Sequence, residues 1–139
     1  TAIDNQQAAQ KYIERQIPKE KLSAFNFILS DFSDYKFTEK FDFVWAYHSL
    51  PFVRKENFYS VVNQAVSSVT TEGLFAGSFF GIQDEWVQDG KVSGLSETQL
   101  RELFSSFEIL ELKETLEKNK TALGGVKDWH IFDIIARKK

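Results

Sequence analysis

The 139-residue sequence contains no cysteine, no methionine, two prolines, seven glycines and two histidines. Without cysteine there is no disulfide framework, no thiolate metal ligand and no thiol nucleophile. The two histidines, His48 and His130, stand far apart in the chain, so a zinc site would need unusual ligands and no metal is expected. Charge is scarce in excess of either sign: 17 basic against 20 acidic residues, a net of −3. There is no basic stripe to neutralise phosphates, and the closing Arg137-Lys138-Lys139 is too short to supply one, which argues against a nucleic-acid partner. No apolar run nears the roughly twenty residues a membrane helix requires, and no signal-peptide pattern opens the chain. The expectation is a soluble, cytoplasmic protein with no membrane partner. The missing methionine and the abrupt Thr1-Ala2-Ile3-Asp4, which reads as a strand, lead us to expect a cut N-terminus.

What is present is an ordinary globular composition, 42% hydrophobic and 27% charged, with fourteen phenylalanines. At this length one domain (1–139) is expected, and folding buries about two-thirds of the chain's surface. No repeat or linker divides it. After a strand ending at Asp4, residues 5–17 have helical spacing through Ala8, Ala9, Tyr12, Ile13 and Ile17, and Pro18 stops them. Residues 24–30 (AFNFILS) and 41–47 (FDFVWAY) read as strands, joined by a polar connection. Residues 55–70 form an amphipathic helix with Phe58, Val61, Val62, Ala65, Val66 and Val69 on one stripe. Residues 73–81 (GLFAGSFFG) read as a buried strand, and 82–95 as a loop holding Trp86. Ser96 and Gln99 make a capping-box pattern that starts a helix through Phe104. Residues 107–117 and 128–137 are strand patterns joined by a loop containing Gly124-Gly125. With no helix between them, these two suit an antiparallel pair. The predicted fold is α/β: a Rossmann-like, mostly parallel sheet with helices on both faces, ending in an antiparallel β-hairpin.

In open α/β sheets ligands bind beyond the carboxyl ends of the strands. The residues there are Asp4-Asn5, Asp31-Phe32, Ala46-Tyr47-His48-Ser49 and the loop after Gly81. Two successive strands ending in Asp can read an adenosine. One carboxylate accepts from the ribose hydroxyls, the other from the exocyclic amine, with an aromatic neighbour against the purine. Asp in the same places also caps a following helix or turn, and the residues leave both readings open.

The order AIDNQ, ILSDFSDY, FDFVWAYHSLPFV, EGLFAGSFFG resembles the second to fifth strands of class I S-adenosylmethionine-dependent methyltransferases. It is most similar to small bacterial enzymes of the tellurite-resistance type. The segments FFGIQDEW and KTALGGVKDWHIFDIIARK also look like that family, the second as its closing hairpin. The resemblance implies S-adenosylmethionine as cofactor, with Asp4 at the ribose and Asp31 and Phe32 at the adenine. Asn5, Ala46 and Tyr47 complete the implied cofactor set. His48, Ser49, Phe52, Trp86 and His130 would line the pocket of a small-molecule acceptor, with Tyr47 and His48 the candidate catalytic residues. The family's first strand, glycine-rich loop and following helix have no counterpart here. Two other functions stay open: a non-catalytic adenosyl-binding module, and a nucleotide-dependent oxidoreductase, against which the hairpin and YHSLPFV speak. Nothing in the residues indicates an oligomeric state. In that fold the absent strand lies between the second and fourth, so the natural protein is expected to carry about forty more N-terminal residues, the size of a βαβ unit's opening. Intact-mass spectrometry checks this; a natural mass equal to that of these 139 residues would refute it.

Overall fold

Ala2-Ile3-Asp4 and Phe27-Ile28-Leu29 are short, mostly apolar runs, and they pair in parallel as strands β1 (Ala2–Asp4) and β2 (Phe27–Leu29), with Ile3 opposite Ile28 and Asp4 opposite Leu29. The computed structural model describes residues 1–122 and 124–139 and divides into two units, 1–36 and 37–139. In the first unit, helix α1 (Gln7–Gln16) connects the strands. It ends where expected: Ile17, the residue before Pro18, is extended (φ −86°, ψ 129°), as the proline ring requires. Residues Lys19–Ala24 then wind into a 3-10 turn, which leaves β2 three residues long where seven were expected. None of the α1 residues is buried, and Tyr12 is exposed.

The second unit carries most of the core. Strands β3 (Phe41–Ala46), β4 (Val69–Gly81), β5 (Gly94–Leu95), β6 (Phe107–Lys120) and β7 (Val126–Lys138) form one sheet in the order β3-β4-β7-β6, with β5 beside β4. The pairs β3/β4 and β4/β5 are parallel, while β4/β7 and β6/β7 are antiparallel. The long β6–β7 hairpin closes through Thr121 and Gly125, and Gly124 takes φ +89°, a conformation that favours glycine. Leu123, inside the predicted connection, lies outside the described residues.

Alternation along β4 and β7 builds the core. Phe75, Gly77 and Phe79 stand opposite Ala136, Ile134 and Phe132, so all six share one face of the sheet. Phe104 packs there, its ring centroid 5.0 Å from Phe75 and 6.2 Å from Phe79. Helix α2 (Phe58–Ser67) buries Phe58, Val61, Val62, Ala65 and Val66, the stripe read from the sequence. Helix α4 (Glu97–Leu103) opens with the predicted capping box: Ser96 Oγ accepts from Gln99 N at 3.2 Å, and Gln99 Oε1 accepts from Ser96 N at 2.8 Å.

Several boundaries differ from expectation, two of them where α2 meets β4. α2 stops at Ser67 rather than Thr70, and β4 begins at Val69 rather than Gly73. The Ser68 hydroxyl donates back to Ala65 O at 2.7 Å, and Val69 pairs with Phe41, so β-branched residues that fit the helical stripe serve the sheet instead. The extra length is taken up by an irregularity between Phe41 and Phe43, where Glu72 turns to φ +64°. The predicted 82–95 loop also holds a short helix, α3 (Glu85–Gln88), and strand β5. Among the described residues no helix is long and apolar enough to cross a membrane. Phe79 is 1% exposed, and Phe79→Ala is expected to cost about 3–5 kcal/mol, read as a lower urea midpoint at unchanged slope.

Candidate functional site

In the first unit the parallel pairing of β1 and β2 brings Asp4 and Asp31 to one end of one small sheet. Asp4 is the last residue of β1, and its carbonyl accepts from Ser30 N at 3.1 Å, extending the ladder to the residue before Asp31. Each carboxylate also works locally. Asp4 Oδ1 accepts from Gln6 N at 2.7 Å ahead of α1, and Asp31 Oδ1 accepts from Ser33 N at 2.8 Å. Asp31 O takes Asp34 N and Tyr35 N, both at 3.1 Å. Both carboxylates therefore hold local turns, although α1 itself has no side-chain cap. Asn5 is exposed, its amide oxygen taking Gln6 Nε2, and Phe32 is half-buried. Beside Asp31, the Ser33 hydroxyl oxygen is buried with no hydrogen-bond partner among the described residues.

In the second unit the carboxyl ends of β3, β4 and β5 share an edge with the start of the antiparallel β7. Ala46 ends β3, buried opposite Gly77. Tyr47 and His48 turn the chain sharply, and His48 sits at φ +49°, a left-handed conformation uncommon outside glycine and often found at functional sites. The buried hydroxyl of Ser78 on β4 holds this turn: it accepts from His48 N at 2.8 Å and lies 3.4 Å from His48 Nδ1. Ser49 O accepts from Phe52 N at 3.1 Å, and Phe52 is 52% exposed. Burial, then the negative charges of Asp133 and Glu111, push the Tyr47 phenol above its ordinary range. A phenol that holds its proton so firmly is suited to donate a hydrogen bond, not to act as a base at neutral pH.

The loop after β4 is tied down by residues that sequence reasoning missed. Asp84 and Lys127 form a buried ion pair, with side chains 0% and 2% exposed. The carboxylate of Asp84 also accepts from Trp86 N at 3.0 Å and His130 N at 3.1 Å. The Lys127 ammonium lies 4.0 Å from the Trp129 ring centroid, 4.1 Å from Trp86 and 4.9 Å from Phe80. Charged residues in polar stretches give no hint of such burial; the only trace in the sequence is Lys127 two positions before Trp129, on the same side of a strand. His130 is buried with both nitrogens engaged. Its Nδ1 accepts from Gln83 N at 3.1 Å, which puts the ring proton on Nε2, 2.9 Å from Glu114 Oε1. The imidazole lies against Gly81, where an added Cβ would come within 2.3 Å of the ring. Of the proposed pocket residues, Phe52 and Trp86 touch (ring centroids 6.3 Å apart), while His130 joins β6, β7 and the loop beneath them. Among the described residues no group of three or more His, Cys, Asp or Glu is arranged to hold a metal.

Comparison with solved structures adds the following. The chain aligns over 99% of its length with TehB from Haemophilus influenzae (18% identity, 49% of that chain, TM-score 0.73). It aligns over 98% with the N-methyltransferase NodS from Bradyrhizobium japonicum (13% identity, 64% of that chain, TM-score 0.68). With 1,6-didemethyltoxoflavin-N1-methyltransferase from Burkholderia thailandensis it aligns over 99% (15% identity, 60% of that chain, TM-score 0.64). The fold is that of the S-adenosylmethionine-dependent methyltransferases. At these identities the likeness establishes the fold alone, and the chain spans about half the length of TehB. No protein-family model matches the sequence, and no curated protein matches it.

The raised Tyr47 phenol gives a direct check. Ultraviolet titration should show a tyrosine ionising above the ordinary value of 10.0, and Tyr47→Phe should remove that last step. Because the folded value exceeds the unfolded one, the contribution of Tyr47 to stability is intact below pH of about 10 and is lost as pH rises beyond it.

Proposed function

We propose that this chain forms the greater part of a domain that transfers a methyl group from S-adenosylmethionine to a small-molecule acceptor. The observation that carries this reading is the pair of carboxylates, Asp4 at the end of β1 and Asp31 two residues beyond β2, at one end of a parallel strand pair. Their chemistry fits an adenosyl group. Asp4 is suited to two vicinal ribose hydroxyls, and Asp31 to an exocyclic amine with Phe32 against the purine. Support comes also from the neighbours: NodS was crystallised with S-adenosylhomocysteine, and the Burkholderia enzyme with 1,6-didemethyltoxoflavin and S-adenosylhomocysteine.

When bound, S-adenosylmethionine supplies an already activated methyl group, so the protein's task is largely positioning. In this reading residues 46–49 and Phe52 of the larger unit are the candidates for contacting the acceptor. Tyr47, with its proton held by burial and nearby carboxylates, orients the acceptor by donating a hydrogen bond. His48, fixed through Ser78, is the group placed to take a proton where the acceptor must lose one.

Calorimetric titration of the full-length protein with S-adenosylhomocysteine, and with NAD as the contrast, tests the proposal. Binding of the first is expected, with Asp4→Ala and Asp31→Ala each weakening it about 10- to 100-fold, the loss of charge-assisted hydrogen bonds worth about 1.5–3 kcal/mol. Binding of NAD in preference would overturn the reading, as would S-adenosylhomocysteine affinity indifferent to both substitutions.

A further inference from the structure

The buried Asp84–Lys127 pair is not explained by stability. Removing two charges from water costs several kcal/mol per ion, and well-packed apolar side chains of similar size commonly hold a fold as well or better. What this pair supplies is geometry. Asp84 gathers three points distant in sequence or in direction: the amide of Trp86 at the head of α3, the amide of His130 in β7, and the ammonium of Lys127. Lys127 in turn stands against the rings of Trp86, Trp129 and Phe80, where cation–π attraction resists rotation of the indoles. Trp86 and Trp129 are thereby set 5.5 Å apart at 58°, and Phe52 extends the group, 5.6 Å from Phe80 and 6.3 Å from Trp86. Phe80 is fully covered, yet Phe52, Trp86 and Trp129 all keep ring surface in contact with solvent. Rigid, half-open aromatic rings bind flat ligands at little cost in side-chain entropy. These rings lie at the carboxyl edge of the parallel strands, where α/β sheets bind ligands.

We propose that Phe52, Trp86 and Trp129 form a binding platform for the planar, apolar portion of the methyl acceptor, and that Asp84 and Lys127 are its positioning residues. Only the word acceptor rests on the methyl-transfer reading; the platform and its ligand class stand on the geometry.

The test titrates the protein with 2-naphthol, a neutral planar probe, and follows the indole N–H resonances of the three tryptophans by NMR. Trp45, which is 67% exposed and pairs with Phe43 and Tyr47 instead, is the internal reference for unspecific stickiness. Saturable shifts at Trp86 and Trp129, with Trp45 unmoved, are expected. Asp84→Asn combined with Lys127→Met should weaken probe binding by roughly tenfold or more, whereas Lys127→Arg, which keeps a cation between the rings, should retain it. Should the double variant fail to fold, Asp84→Asn alone, which keeps an acceptor oxygen for one of the two amides and removes the charge, carries the same comparison. Equal, unsaturable shifts at all three indoles would overturn the platform. So would a folded charge-free variant that binds 2-naphthol as tightly as the parent. S-adenosylhomocysteine affinity, measured on the same samples, separates the two readings. Its absence alongside intact probe binding sinks methyl transfer alone; its presence without probe binding sinks the platform alone.

Discussion

A carboxylate withdrawn from water must be given every hydrogen bond that water would have supplied, and in the larger unit that requirement falls on Asp84. Its side chain meets it with two backbone amides and one ammonium, drawn from α3 and from β7. The loop after β4 can therefore take few other paths. If it moved, three donors and an acceptor would be left unpaired in a dry interior, at the full desolvation cost of each. The arrangement of Trp86, Trp129 and His130 follows from this one constraint. So does the use of glycine at position 81, because the imidazole that bonds to the loop occupies the space a side chain would need.

The regular parts of the fold were open to reading because they obey short-range rules. The α2 stripe is a helical period of apolar residues, and Ser96 with Gln99 is a local hydrogen-bond motif; both are complete within a few residues. The antiparallel hairpin was legible from the lack of a crossover helix. The start of β4 was not, because Val69 and Thr70 satisfy the helix stripe and the strand equally, and only pairing with Phe41 decides between them. At the site, strand ends could be located from the pattern, so Asp4, Asp31, Tyr47 and His48 were named. The Asp84–Lys127 pair escaped, since its partners are 43 residues apart and each sits in a stretch that reads as solvated.

Identity of 13–18% with the solved neighbours leaves few side chains in common, yet the backbones superpose over nearly the whole chain. In this chain the fold is carried by a physical pattern: a buried, near-continuously apolar strand β4, a helix α2 with one apolar face, and a hairpin at the end. That pattern fixes where strand tips fall but not what they carry. Function must be argued from the tips, here from two carboxylates in one unit and a tyrosine–histidine turn beside an aromatic group in the other.

The left-handed backbone at His48 has a consequence for how this protein can vary. Glycine or asparagine would suit that φ at least as well, and would relax the turn while discarding the imidazole. A valine or isoleucine would be penalised twice, by the backbone and by the lost nitrogen. The position therefore sets comfort against chemistry: histidine there carries local strain and places a ring at the tip of β3.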